Sequence, residues 1–201
     1  MKIGLDLDNT IVDCDALFQR RAEQLLGRSL DGRAREDIRR LVRETLGDPC
    51  WTQIQAEVYG PLYQECPPFP QALETIAKIA RCAHTPEIFI ISHKTVTDSA
   101  GKKYKLRDYA RKWVARHLIG EQTRLSDAHV FFTETIEEKR HMIVDMACDV
   151  FFDDLPSIIL PLQDIIPHAV LFSRSSADNH PLKTSVHVCD WPAFGAFICN
   201  G

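Results

Sequence analysis

Lys2-Ile3-Gly4-Leu5-Asp6-Leu7-Asp8-Asn9-Thr10 reads as a first strand, Lys2–Leu7, running straight into acidic and hydroxyl side chains. A carboxylate at the end of an apolar run is costly to bury unless it is paired, hydrogen-bonded or bound to a metal. Two later runs end in the same manner. Glu87–Ile91 is an apolar, β-branched strand closed by Ser92-His93-Lys94, and Val150–Phe152 is closed by Asp153-Asp154. In open α/β sheets ligands sit beyond the carboxyl ends of the strands, so these three endings are expected on one rim. Carboxylates gathered there repel one another, and a divalent cation with a nearby lysine is the natural counter-charge.

The rest of the chain supplies the scaffold. Helical periods cover about Ala16–Leu26, Glu36–Leu46 and Trp51–Tyr59, with Gly47-Asp48-Pro49 stopping the second. Cys66-Pro67-Pro68-Phe69-Pro70 is the strongest break. After it, helix and strand alternate: a helix at Gln71–Cys82, the strand at Glu87–Ile91, a helix at Leu106–Leu118 and a strand at His129–Phe132. A helix at Ile136–Ala147 and the strand at Val150–Phe152 follow, then strands at Ala169–Phe172 and Val186–Cys189 and a last helix near Trp191. Alternation with continuous apolar strands predicts an α/β fold, a Rossmann-like parallel sheet flanked by helices. Residues 14–66 interrupt that alternation with helices alone. They are expected to form a small helical cap inserted after the first strand, with 1–13 and 67–201 as the core.

The D-x-D-x-T pattern at Asp6, Asp8 and Thr10, after an apolar run, resembles the first motif of the haloacid dehalogenase superfamily. Ser92 after Ile88-Phe89-Ile90-Ile91 resembles its second motif, Lys139 near the head of a helix its third, and Asp153-Asp154 its acidic fourth. A lone D-x-D is more often a turn or helix cap, a lone serine a loop residue, and a lone helix lysine an exposed one. Four motifs in order at strand ends argue for the functional reading.

Carried over residue by residue, the resemblance implies a phosphatase using Mg²⁺. Asp6 is then the nucleophile that forms an aspartyl-phosphate. Asp8 protonates the leaving oxygen and afterwards takes a proton from water. Asp6, Asp8 (through its backbone carbonyl), Asp153 and Asp154 are the implied metal ligands, and Ser92 and Lys139 bind the transferring phosphoryl group. Asn9, through its backbone N–H, and Thr10, His93 and Lys94 complete the expected phosphate- and substrate-binding set.

A narrower resemblance joins Pro68–Glu74, Gly101-Lys102-Lys103-Tyr104 and Tyr109–Val114 to the 5'(3')-deoxyribonucleotidases, although Ile91-Ser92-His93-Lys94 departs from their Thr-Ser-Pro run. It implies a nucleoside monophosphate as substrate, with a sugar phosphate as the other candidate. A cap of this size suits a small phosphorylated metabolite. Phosphoryl transfer to another acceptor, or metabolite binding without catalysis, stays open as an alternative. Lys94, Lys102, Lys103 and Arg107 are basic residues that either attract an anion or form a solvated face. Phe18, Trp51 and Tyr59 fall at helical spacing, which makes them core, with stacking on a base as the alternative. The Arg-rich helix Arg33–Arg43, balanced by Glu36, Asp37 and Glu44, reads as a solvated face.

Composition narrows the partners. The chain has 201 residues and a net charge of −4, which does not suit a general nucleic-acid binder. Its longest apolar runs, such as Ile88–Ile91 and Ile158–Leu162, are too short to span a bilayer, and acidic residues stand where a signal peptide needs an apolar stretch. The expectation is a cytoplasmic protein without a membrane or nucleic-acid polymer as partner, with a homodimer left open. Seven scattered cysteines with no C-x-x-C pair are expected to be reduced and mostly buried, and the eight histidines show no zinc-type spacing.

Overall fold

The computed structural model of the chain describes residues 1–173 and 186–200. Among them, six strands form one parallel sheet: β1 (Lys2–Leu5), β2 (Glu87–His93), β3 (Val130–Thr133), β4 (Val150–Asp153), β5 (His168–Phe172) and β6 (Val186–Val188). Their order in the sheet is β3-β2-β1-β4-β5-β6. This is the doubly wound order in which the first strand sits between β2 and β4 and the sheet grows outward on both sides.

The chain divides into two compact units. The first comprises Met1–Val12, Pro68–Lys94 and Ala115–Gly201; the second comprises Asp13–Pro67 and Thr95–Val114. The helical unit therefore takes in a second segment besides the 14–66 insertion.

In the sheet unit, strand alternation sends successive side chains to opposite faces. Phe151 packs with Ile143 of α6 (Ile136–Asp145) and Ile158, Ile159 and Leu162 of α7 (Pro156–Leu162). Its neighbour Phe152 stacks on Phe194 of α8 (Trp191–Asn200) at 4.1 Å, with Trp191 edge-on at 5.2 Å. Gly4 of β1 is needed because a Cβ there would lie 2.5 Å from the Phe151 ring.

In the helical unit, α1 (Asp15–Leu26), α2 (Arg35–Leu46) and α3 (Asp48–Tyr59) pack around an aromatic centre. Phe18 stacks on Trp51 at 5.2 Å and meets the half-buried Tyr59 edge-on at 5.4 Å, so Phe18 and Trp51 are core side chains. The α2 surface is laced by Arg39–Glu36 and Arg40–Asp37 pairs while Ile38 and Val42 face inward. Most of α5 (Leu106–His117) belongs here too, and its Trp113 donates its indole N–H to the Cys66 carbonyl at 2.8 Å.

The structure extends one sequence expectation and corrects two. Pro49 does not merely stop α2; it sits in the first turn of α3, where a missing N–H costs nothing. The helix α7 was legible only as the apolar run Ile158–Leu162. Pro156 opens that helix, and Pro161 within it masks the helical signal. The cysteines are not all reduced: Cys82 and Cys199 form a disulfide that ties the end of α4 (Ala72–Ile79) to α8. Their separation of 117 residues hid the pairing from any spacing rule. Five cysteines lie outside the disulfide, with Cys14, Cys66 and Cys148 buried. Among the described residues no helix is long and apolar enough to cross a membrane.

Candidate active site

Parallel pairing brings the three polar strand endings together. Leu5 of β1 is opposite Ile90 of β2 on one side and Phe152 of β4 on the other. Asp6 stands one residue beyond Leu5, Ser92 two beyond Ile90, and Asp153 one beyond Phe152. β1 stops at Leu5 rather than Leu7 because the chain turns there: Ile11 and Val12 both donate their amides to the Leu7 carbonyl. The Asp6 amide still donates to the Phe152 carbonyl at 2.9 Å, which pins its backbone to β4.

Asp6 is 4% exposed, and the Lys139 Nζ lies 2.5 Å from its Oδ1. The same ammonium lies 2.6 Å from Asp153 Oδ2. Lys139 comes from the first turns of α6, whose start is set by Thr135: its hydroxyl accepts the Glu138 amide at 3.0 Å. The Lys139 amide donates to the Thr135 carbonyl at 3.1 Å. A lysine this deeply buried needs anionic partners, and here it has two. Burial opposes its charge, but Asp153 and Asp6 outweigh burial and raise its proton affinity above the ordinary lysine value.

The reverse balance holds at Asp6. Burial pushes its pKa up from 3.8 to about 7; Lys139 opposes this, while Asp153 and Asp8 reinforce it. One lysine does not neutralise the cluster. Oxygens of Asp6, Asp153 and Asp154 lie within 4.8 Å of one another, a set of hard carboxylate donors that fits Mg²⁺. Asp153 is fully buried, and its Oδ1 is aligned by the Leu155 amide at 2.8 Å.

Ser92 is the other notable group. Its hydroxyl is buried and has no hydrogen-bond partner among the described residues. Buried hydroxyls are nearly always bonded, so an orphan on this rim suits an external acceptor.

Several expected residues occupy different places. The Asn9 backbone N–H is engaged by the Val12 carbonyl at 2.8 Å, so it is not offered to a phosphoryl oxygen. Asn9 instead takes φ +62°, a left-handed conformation that Asn tolerates better than most residues, and so makes the turn. Thr10 is fully buried, with its hydroxyl 3.5 Å from Asp6 Oδ2 and its carbonyl accepting the Trp191 indole N–H. Its hydroxyl is therefore turned towards Asp6. His93 alternates to the opposite face from Ser92, and its Nε2 contacts the Glu134 carbonyl at 3.1 Å. The carboxylate of Asp8, a residue expected to bind metal only through its backbone carbonyl, pairs with Lys94 at 2.8 Å. Lys102 and Lys103 are exposed in the helical unit, the latter 5.0 Å over the Tyr104 ring, as a solvated face requires.

Two contributors escaped the sequence reading. Thr135 had a usable signal, the Thr135-Ile136-Glu137-Glu138 pattern that starts a helix and so places Lys139. The Lys94–Asp8 pair had none, since its partners are 86 residues apart.

No family model matches the chain. A "Putative nucleotidase" of Bacillus cereus is 23% identical over 98% of both chains. A second protein of that name, from Oceanobacillus iheyensis, is 24% identical over 96% of this chain and 97% of its own. Among solved structures, a "putative phosphoglycolate phosphatase" from Lactobacillus delbrueckii subsp. bulgaricus aligns with all of this chain and 98% of its own, at 14% identity and a TM-score of 0.58. A haloacid dehalogenase-superfamily hydrolase from Ehrlichia chaffeensis aligns over 99% and 96% of the two chains, at 14% identity and a TM-score of 0.53. The likeness read from the four motifs holds at the level of the fold.

Proposed function

Because the chain has the fold of the haloacid dehalogenase-superfamily hydrolases, we propose that it is a Mg²⁺-dependent phosphatase acting on a small phosphomonoester through Asp6. The observation that carries this reading is the buried Asp6–Lys139–Asp153 cluster with Asp154 alongside. A purely structural ion pair has no use for a third carboxylate, nor for the unbonded Ser92 hydroxyl on the same rim.

Asp6 attacks phosphorus as the ester P–O bond breaks, and Asp8 gives a proton to the departing oxygen. Asp8 then takes a proton from water, whose oxygen bonds to phosphorus as the Asp6–phosphorus linkage breaks and releases inorganic phosphate. The Ser92 hydroxyl donates to a phosphoryl oxygen, and Lys139 balances the charge that develops there. Asp6, Asp153 and Asp154, with the Asp8 backbone carbonyl, would hold Mg²⁺, which when bound would supply charge neutralisation at the phosphoryl oxygens.

A nucleoside monophosphate is the favoured substrate. Its support is the name of the two curated relatives, which span nearly the same length as this chain. A sugar phosphate is the competing class. The deciding experiment measures inorganic phosphate released from a panel of both classes in the presence of Mg²⁺, with wild-type and Asp6→Asn protein side by side. Asp6→Asn is expected to be folded and inactive; undiminished activity in that variant removes the nucleophile assignment.

A further inference from the structure

Lys94 is 4% exposed, although it follows a strand end where lysines usually reach into solvent. Its amide donates to the Thr133 carbonyl at 3.0 Å, so its backbone is still registered against β3. From there its Nζ reaches the Asp8 carboxylate, 3.0 Å from Oδ1 and 2.8 Å from Oδ2. One ammonium thus engages both oxygens. The Asp8 side chain is 14% exposed, and its backbone is held by the turn that closes on Leu7.

An exposed ion pair on a loop leaves both side chains free to rotate and contributes little. This one is part-buried, with Lys94 itself buried, so Lys94 cannot leave Asp8 without stranding its own charge. A carboxylate clamped through both oxygens has one orientation, and orientation is what proton transfer to a specific atom demands.

On this geometry we propose that Lys94 is a positioning residue for Asp8, acting on the reaction through that carboxylate rather than by attracting the substrate. The inference rests on the phosphatase reading above. In the first half-reaction Asp8 loses its proton to the ester oxygen as the P–O bond breaks. In the second it gains one from the attacking water as the bond between phosphorus and Asp6 breaks. Lys94 holds the Asp8 side chain in place through both half-reactions.

Leaving groups separate this role from its rivals. An aryl phosphate departs as a stabilised phenolate and needs little protonation, whereas an alkyl phosphate needs a placed acid. Steady-state kinetics of Lys94→Met with Mg²⁺ on a p-nitrophenyl and an alkyl phosphate are the test, with Lys94→Arg, Asp8→Asn and the double variant alongside. The expected result is a loss of about 10- to 100-fold in kcat on the alkyl phosphate, a part of the usual general-acid contribution. The aryl substrate loses no more than about 3-fold, KM barely moves, and Lys94→Arg recovers part of the loss. Adding Lys94→Met to Asp8→Asn costs nothing further, because the residue acts through a group already removed.

A rise in KM shared equally by both substrates overturns the proposal and makes Lys94 a substrate anchor. An equal fall in kcat on both, tracking the fraction of folded protein by circular dichroism, overturns it as well and makes the pair structural. If Asp6→Asn retains activity, it is the underlying phosphatase reading that fails, a result distinct from either.

Discussion

The Lys139 ammonium stands 2.5 Å from the Asp6 carboxylate, across 133 residues of chain. Neither group is tolerable alone where it sits. Lys139 is 1% exposed and Asp6 4%, and each is the other's nearest counter-charge. With Asp153 2.6 Å from the same Nζ, the rim carries more negative than positive charge, which is the condition a divalent cation relieves.

Lys139→Met leaves Asp6 and Asp153 facing each other without their cation. Removing one partner of a buried pair costs about 3–5 kcal/mol. Urea unfolding followed by tryptophan fluorescence should show that loss without Mg²⁺, with part of it restored when millimolar Mg²⁺ is added. Equal stability of variant and wild type would mean that the cluster is not held as described.

Mg²⁺ should stabilise the wild-type protein against heat. A ligand that binds only the folded state contributes about 2.7 kcal/mol at one hundred times its Kd. Asp153→Asn should abolish the shift, and Asp154→Asn, which removes the half-buried member of the trio, should weaken it. Thermal melts across a Mg²⁺ series, with calorimetric titration, read both effects independently of turnover.

Ser92→Ala removes a hydroxyl that has no hydrogen-bond partner among the described residues, so folding should be indifferent to it. Catalysis should not be. Losing one donor to a transition-state oxygen lowers kcat by about 10²–10³-fold. Unchanged melting together with this loss is the expected pair of results; unchanged kcat would leave the orphan hydroxyl without a role.

Gly4→Ala tests the sheet beneath the site. The added Cβ falls 2.5 Å from Phe151 Cδ2 and 2.9 Å from Cε2, atoms of a fully buried ring. Overpacking of this kind costs about 1–3 kcal/mol, visible as a lower urea midpoint with an unchanged slope.

Cys82→Ser with Cys199→Ser opens the covalent link between α4 and α8. A disulfide typically contributes about 2–4 kcal/mol. Melting in the presence and absence of reductant should separate by several degrees for the wild type and not at all for the double variant.

The carboxylates of the rim were legible because they break a local rule. Asp6 and Asp153 follow apolar strands where a charge needs a reason, and Lys139 stands just inside a helix opened by Thr135. The helices of the insertion were legible from periodicity. The helix α7 was not, since Pro161 interrupts a short apolar run that fits a strand or helix equally well. The disulfide contradicted the expectation of reduced thiols for a similar reason: spacing reports only on cysteines that are near in sequence.

By itself, the order of residues determined the fold class and the membership of the acidic rim. Strand and helix signals are short-range, and an isolated charge after an apolar run shows within ten residues. Only the tertiary structure decided how that rim is wired. It gave Lys139 to both Asp6 and Asp153, spent the Asn9 amide on a turn, set Thr10 beneath Asp6, sent His93 to the far face and joined Lys94 to Asp8. The physical reason is that hydrogen bonds and ion pairs are settled by distances of a few ångströms. Those distances arise only once strands far apart in the chain lie side by side.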